Sequence, residues 1–218
     1  MIVYGSLVSP FVRKLLAYLG EKGLAFDLKG VGIGDPDPGF RAASPLAKMP
    51  AIDDDGFTLA DSSAIIHYLE AKHPTPELIP ADPQQRGQVI WWDEFADTVF
   101  AACSGKIFFN RIVAPKFLGR EGDLAAAALA ESEELPRLLD YLEGAIPASG
   151  FLVGDRLTLA DLAVASPLMN FRHCGGCIDP ATHPKIAAWS EAILSRPSIA
   201  PWIAKEERMM ARVMQPAD

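Results

Sequence analysis

Cysteine, histidine and positive charge are all scarce in this chain of 218 residues. It holds three Cys and four His. So few cysteines, and an odd number of them, argue against a disulfide scaffold and for a reducing compartment, so a cytoplasmic location is expected. Lys and Arg number 20 against 28 Asp and Glu, a formal net charge of −8. A surface that acidic repels nucleic acid and anionic lipid, and neither is expected as a partner. No apolar run reaches the roughly 18 residues of a membrane span, and the opening MIVYGSLVSPFVRK has neither the positive lead nor the apolar stretch of a secretion signal. Apolar residues are plentiful, at half of the chain. A soluble globular protein with a substantial core is the expectation.

The two parts of the sequence read differently. Residues 1–74 alternate short strand-like and helical pieces: Ile2-Val3-Tyr4, a helix opened by Ser9-Pro10, a second strand over Ala25 to Lys29, and a Gly/Asp/Pro-rich loop from Gly30 to Gly39. Met49-Pro50-Ala51-Ile52 and Phe57-Thr58-Leu59 flank an Asp-Gly turn and read as a hairpin, followed by a helix from Asp61 or Ser62. A helix between the first two strands makes them parallel. Residues 75–83, with Pro76, Pro80 and Pro83, form a linker. Residues 84–218 carry only helical patterning, with long helices over Gln84 to Ile112 and Gly122 to Leu142. Thr158 and Asp161 are spaced for a reciprocal capping box, Thr158 accepting from the Asp161 backbone and the carboxylate reaching back. The expected architecture is α/β followed by all-α.

Three features of the first part could hold a polar ligand. Ser9 stands at a helix start, where unpaired N–H groups and the helix dipole favour an anion. Lys48-Met49-Pro50 precedes a strand, a place suited to a cis X–Pro bond that would present the Met49 N–H and C=O to an extended peptide. Asp61-Ser62 opens another helix, a second place for a carboxylate and an ammonium.

In this order, Ser9-Pro10-Phe11-Val12-Arg13, Lys48-Met49-Pro50-Ala51-Ile52, Asp61-Ser62-Ser63-Ala64-Ile65 and the Thr158-Leu159-Ala160-Asp161 box resemble the soluble glutathione transferases over nearly the whole chain. The resemblance implies a thioredoxin-like glutathione-binding domain, a helical domain contributing the second-substrate pocket, a cytoplasmic homodimer, and a role in detoxification with glutathione as substrate or cofactor and no metal. It implies that Ser9 donates to the glutathione sulfur, with Tyr4 as the alternative donor and Ser6 a further rival. Met49 beside Pro50 would pair with the cysteinyl unit, Asp61 and Ser62 would hold the γ-glutamyl end, and Lys48 would meet the glycyl carboxylate. Phe11, Phe108 and Arg111 are the candidates for the second-substrate pocket. Three positions depart from the commoner pattern: Ala47 where Gly is frequent, Met49 for Val or Ile, and Asp61 for Glu.

The function implied is conjugation of the glutathione thiolate to small apolar electrophiles. The alternatives are a glutathione-dependent isomerase, a disulfide or peroxide reductase, or a non-catalytic glutathione-binding protein of the same fold. Cys174-Gly175-Gly176-Cys177 beside His173 supplies half of a zinc site at most. It reads as thiols in a glycine-rich loop, with regulatory oxidation as the other reading. Cys103 reads as a small core residue, Arg13 as an ion-pair partner, and Asp161 as structural.

Overall fold

Ile2, Val3 and Tyr4, β-branched and aromatic, form strand β1 (Ile2–Gly5), from which the chain turns into helix α1 (Pro10–Lys22). Gly5 is required where the two meet: a Cβ there would lie 2.5 Å from the Val12 side chain. The computed structural model describes residues Met1–Gln215. Strand β2 (Asp27–Gly30) pairs parallel to β1, with Val3 opposite Leu28. The hairpin of β3 (Ala51–Asp54) and β4 (Phe57–Ala60) turns at Asp55-Gly56, both with positive φ, and lies antiparallel on the other side of β1. Helix α3 (Ser62–Lys72) follows, and the sheet order is β2-β1-β3-β4.

Period-two alternation sorts side chains to the two faces of this sheet. Val3 and Ile52 join α1 and α3 in the main core. Tyr4 and Ala51 pack on the opposite face against a short helix α2 (Pro38–Ala43) through Phe40 and Ala43. This helix begins inside the segment expected to be loop up to Gly39. Asp37 caps it by accepting from the Phe40 N–H at 2.8 Å, Pro38 occupies its first position, and burial of Phe40 anchors it.

From Pro83 onward every described element is helical. Helix α4 (Pro83–Glu94) passes through a wider, π-type stretch (Phe95–Phe100) into α5 (Ala101–Phe108) and a second such stretch (Phe109–Phe117), so the helical run extends beyond the expected end near Ile112. Helix α6 (Leu124–Leu129) continues likewise through Ala130–Glu134 into α7 (Leu135–Ala145). Helix α8 (Leu159–His173) is buried at every position from Leu159 to Phe171, and α9 (Pro184–Leu194) and α10 (Ala200–Val213) flank it. A helix apolar on all sides belongs at the centre, and α8 packs against α1, α4, α5 and α9.

Two buried polar groups hold this packing. Asp161 accepts from the Leu152 N–H at 2.8 Å, the Trp189 indole at 3.2 Å and the Thr158 N–H at 3.0 Å. The Thr158 hydroxyl donates to the same carboxylate at 3.3 Å. Both halves of the expected capping box are thus present at the start of α8, the Thr158 side chain toward the Asp161 N–H and the Asp161 carboxylate on the Thr158 N–H. Arg13, on α1, forks onto Glu206 of α10 and donates to the Ser166 carbonyl and the Asn170 amide oxygen of α8. This ion pair welds the sheet-bearing part to the helices.

Candidate active site

The chain leaves β1 in a turn closed by Ser9 N–H to Ser6 C=O at 3.0 Å. Ser9 is extended (φ −77°, ψ 125°) and its Oγ accepts weakly from the Val12 N–H at 3.4 Å. A hydroxyl that accepts from its own helix keeps its proton for something outside it. Outside it lies a cavity of about 710 Å³, within the range of small-molecule sites, where Ser9 stands with Ser6, Lys48 and Met49 on one side and Phe11, Phe108, Phe109, Val113 and Phe117 on the other. Ser6, Ser9, Phe11, Lys48, Met49 and Phe108, all singled out in the sequence, are thus brought to a single space.

Lys48 and Met49 are held by a residue that carries no sequence signal. Ser44, buried in the loop after α2, donates through its hydroxyl to the Lys48 carbonyl at 2.7 Å and accepts from the Lys48 N–H at 2.9 Å. Ala47 takes a left-handed conformation (φ 54°) to make this turn, which explains why Gly suits the position. The Met49–Pro50 peptide bond is cis. Among the described residues the Met49 N–H and C=O have no hydrogen-bond partner, so both remain for a peptide-like ligand.

Asp61 and Ser62 do not line the cavity but adjoin it, since the Asp61 N–H donates to the Pro50 carbonyl at 3.2 Å. Asp61 sits at φ 81°, a conformation costly for any residue with a side chain. Its Oδ1 caps α3 by accepting from the Ser63 and Ala64 N–H groups at 3.0 Å. The Ser62 hydroxyl lies 3.5 Å from the Asp97 carboxylate, which also binds Lys14 at 2.6 Å and Ser63 at 3.2 Å. Burial pushes the Asp97 carboxyl up, against the pull of the Lys14 ammonium.

The other candidates point elsewhere. Tyr4 lies on the opposite sheet face, its ring 6.1 Å from Phe40 and its hydroxyl in the space that the missing Cβ of Gly39 leaves. Arg111 does not line the cavity; both its terminal nitrogens bind Glu131, and that ion pair is what the second π-type stretch directs it to. Cys103, Cys174 and Cys177 are free thiols. Burial pushes Cys103 and Cys174 up to about 11, which keeps them protonated and poorly nucleophilic. Among the described residues no cluster of three or more His, Cys, Asp or Glu could hold a metal. Ser104 of α5, which lines the cavity, was not singled out in the sequence. It shares the stripe Ala101, Ser104, Phe108 at helical spacing, and Phe108 was the legible end of that stripe.

A Ser at a helix start, an unpaired Met49 backbone beside a cis proline, and an apolar cavity between sheet and helices are joined in one chain. The family "Glutathione S-transferase, N-terminal domain" matches residues 3–77 and "Glutathione S-transferase, C-terminal domain" matches residues 109–206. Glutathione S-transferase 3 of Zea mays is 31% identical over 210 residues, covering 93% of this chain and 92% of that one. This chain belongs to the glutathione transferase family. A GST-like protein of Escherichia coli (strain K12), YibF, described as uncharacterized, is 32% identical over 205 residues, covering 92% of this chain and 96% of its own. Among solved structures, a glutathione S-transferase from Rhodospirillum rubrum F11 superposes with a TM-score of 0.83 at 25% identity, covering 92% of this chain and 90% of that one. A glutathione S-transferase III in apo form gives 0.78 at 29% identity, covering 100% and 98%. The enzyme is a glutathione transferase with a thioredoxin-like domain followed by a helical one.

Proposed function

We propose that this enzyme adds the thiolate of glutathione to small apolar electrophiles, with Ser9 as the donor that stabilises the thiolate. The observation that carries the reading is the Ser9 hydroxyl, fixed at the start of α1 on the cavity wall with its proton uncommitted. A hydrogen bond to a charged group contributes about 1.5–3 kcal/mol. At about 1.36 kcal/mol per pKa unit, that lowers a thiol from about 8.5 by roughly one to two units and makes the nucleophile abundant at neutral pH. No general base is required for this step.

The rest of the tripeptide has a place in the same reading. The Met49 backbone pairs with the cysteinyl unit, the Lys48 ammonium meets the glycyl carboxylate, and Asp61 with Ser62 receives the γ-glutamyl end at α3. Phe11 and Phe108, with the aromatic wall beyond them, take the electrophile; Arg111, tied to Glu131, has no part in it. Residues 1–74 form the glutathione-binding domain, 75–83 the linker and 84–218 the helical domain, in a cytoplasmic homodimer.

Ultraviolet titration of enzyme-bound glutathione tests the donor. In Ser9→Ala the thiol pKa rises by about one to two units and kcat/KM falls by roughly 10–100-fold, while Tyr4→Phe changes neither. An unchanged thiol pKa in Ser9→Ala removes Ser9 from the role. Reduction of a mixed disulfide without conjugation of any electrophile would replace the transferase reading with the reductase one.

A further inference from the structure

We infer that Cys177 is a modification site for glutathione disulfide, and that Cys174 resolves the adduct into a Cys174–Cys177 disulfide behind the cavity wall. The modification stands on the two thiols and the chain between them; its effect on turnover rests on the reading above. The thiols differ in access. Cys177 is exposed, whereas Cys174 packs, partly buried, against the cluster of Val8, Phe108, Ile112 and Met210. Burial keeps Cys174 protonated, so the exposed thiol is the first to exchange. Cys103 is set apart in the core, its thiol donating to the Ala130 carbonyl at 3.7 Å.

The chain between the two cysteines is fastened at one end and free at the other. Helix α8 ends in a left-handed turn at Gly175 (φ 82°), whose N–H donates to the Arg172 carbonyl at 2.9 Å, while the Gly176 N–H donates to the Phe171 carbonyl at 3.1 Å. Gly176 lies on the Phe171 ring, where a Cβ would overlap it, and Gly175 has open space at the same position. Past Gly176 the fastening stops. Among the described residues neither Cys177 nor Ile178 forms a backbone hydrogen bond, and bonding resumes at Asp179. A segment so loosely held can turn Cys177 back until the two Cα atoms stand within the roughly 7 Å that a disulfide requires.

Two exchanges complete the modification. The Cys177 thiolate attacks one sulfur of glutathione disulfide, the original sulfur–sulfur bond breaks, and one glutathione leaves as thiolate and takes a proton from solvent. Cys174 then gives its proton to solvent, its sulfur attacks the Cys177 sulfur, and the second glutathione leaves and is protonated in turn. Two protein thiols are oxidised and one glutathione disulfide is reduced to two thiols. Bonding to Cys177 draws the Cys174 sulfur out of its packing with Val8 and Phe108, and both of these line the cavity. The wall that takes the electrophile loses its backing, while the Lys48-Met49 segment, held by Ser44, is untouched.

The test incubates the whole enzyme with glutathione disulfide, alkylates the remaining thiols and digests with trypsin. Cleavage after Arg172 and Lys185 places both cysteines in one peptide, residues 173–185, apart from Cys103. In the wild type this peptide is expected to lose two hydrogens and take no alkylating agent. In Cys174→Ala it carries one glutathionyl group, and in Cys177→Ser neither change occurs. Oxidation of the wild type raises KM for benzyl chloride about threefold or more with KM for glutathione unchanged; dithiothreitol reverses the rise and Cys177→Ser does not show it. Two alkylated thiols in the treated wild type, or a Cys177–Cys177 link between two chains, overturn the modification. A closed disulfide that leaves KM for benzyl chloride unchanged overturns its effect on the cavity. A wild type that turns over no electrophile overturns the transferase reading, and the peptide mass still decides the modification.

Discussion

At the level of single residues, the candidate site divides into groups that act through local chain geometry and groups that act through neighbours. Ser9 and Asp61 are of the first kind: each caps the helix that it begins, so its position is set by the few residues around it. Such caps are visible in a sequence because capping needs particular side chains at a particular place. Ser44 is of the second kind. Its two hydrogen bonds fasten the Lys48 backbone ahead of Met49, yet it lies in a loop with no period and no cap to mark it. Ser44→Ala is expected to raise KM for glutathione about three- to tenfold with a smaller change in kcat, since it loosens a binding segment rather than the thiolate donor. Its stability cost, read by denaturant unfolding, is about 1–3 kcal/mol, because the Lys48 N–H and C=O both lose their partner.

Among the secondary-structure elements, α1 is where two requirements meet. Its first turn presents Ser9, and its next residues, Arg13 and Lys14, are buried and must be neutralised by carboxylates from other elements. Breaking a buried pair leaves a charge in the core, so Glu206→Gln is expected to lower the unfolding free energy by about 3–5 kcal/mol, measured by urea melts. The pH dependence has a definite sign. Burial pushes the Glu206 carboxyl up, but the Arg13 guanidinium and the His173 ring outweigh it and hold the group below its ordinary 4.5. A carboxyl held low in the folded state adds stability above that ordinary value and loses it as pH falls through the folded one. The acid limb of the stability curve, from about pH 4.5 downward, should therefore flatten in Glu206→Gln. Asp161 lies in the opposite direction: burial raises it, and its hydrogen bonds to Leu152, Thr158 and Trp189 only partly offset that. Asp161→Ala strands those donors and should fail to fold or melt lower by several kcal/mol, whereas Asp161→Asn, which keeps one acceptor oxygen, should lose less.

For the whole molecule, the core is continuous from β1 through α1 to α8, so the helices support the site as well as enclosing it. Stability and glutathione binding are linked by mass action, and saturating glutathione should raise the melting temperature of the wild type, with a smaller rise in Ser9→Ala. The proposed homodimer predicts a sedimentation mass of twice the 23.5 kDa of one chain. A single-chain mass at micromolar concentration would remove the dimer from the proposal.

The sequence by itself determined the order of the strands, the division into an α/β part and a helical part, the two cap-built helix starts and the Met49-Pro50 segment, because each follows from side-chain type and spacing within about a dozen residues. It also carried the family resemblance, which is a matter of several such local signals in order. Tertiary structure decided what the same residue types do across distance. Glu206 meets Arg13 from 193 positions away, Asp97 meets Lys14 from 83, and Arg111 turns to Glu131 instead of the cavity. Tyr4 and Val3, adjacent in the chain, go to opposite faces of the sheet, and Ser9 and Ser6 reach the cavity while Tyr4 does not. Local chain chemistry is encoded by neighbours in sequence; the pairing of buried charges and the walls of a cavity are set by neighbours in space.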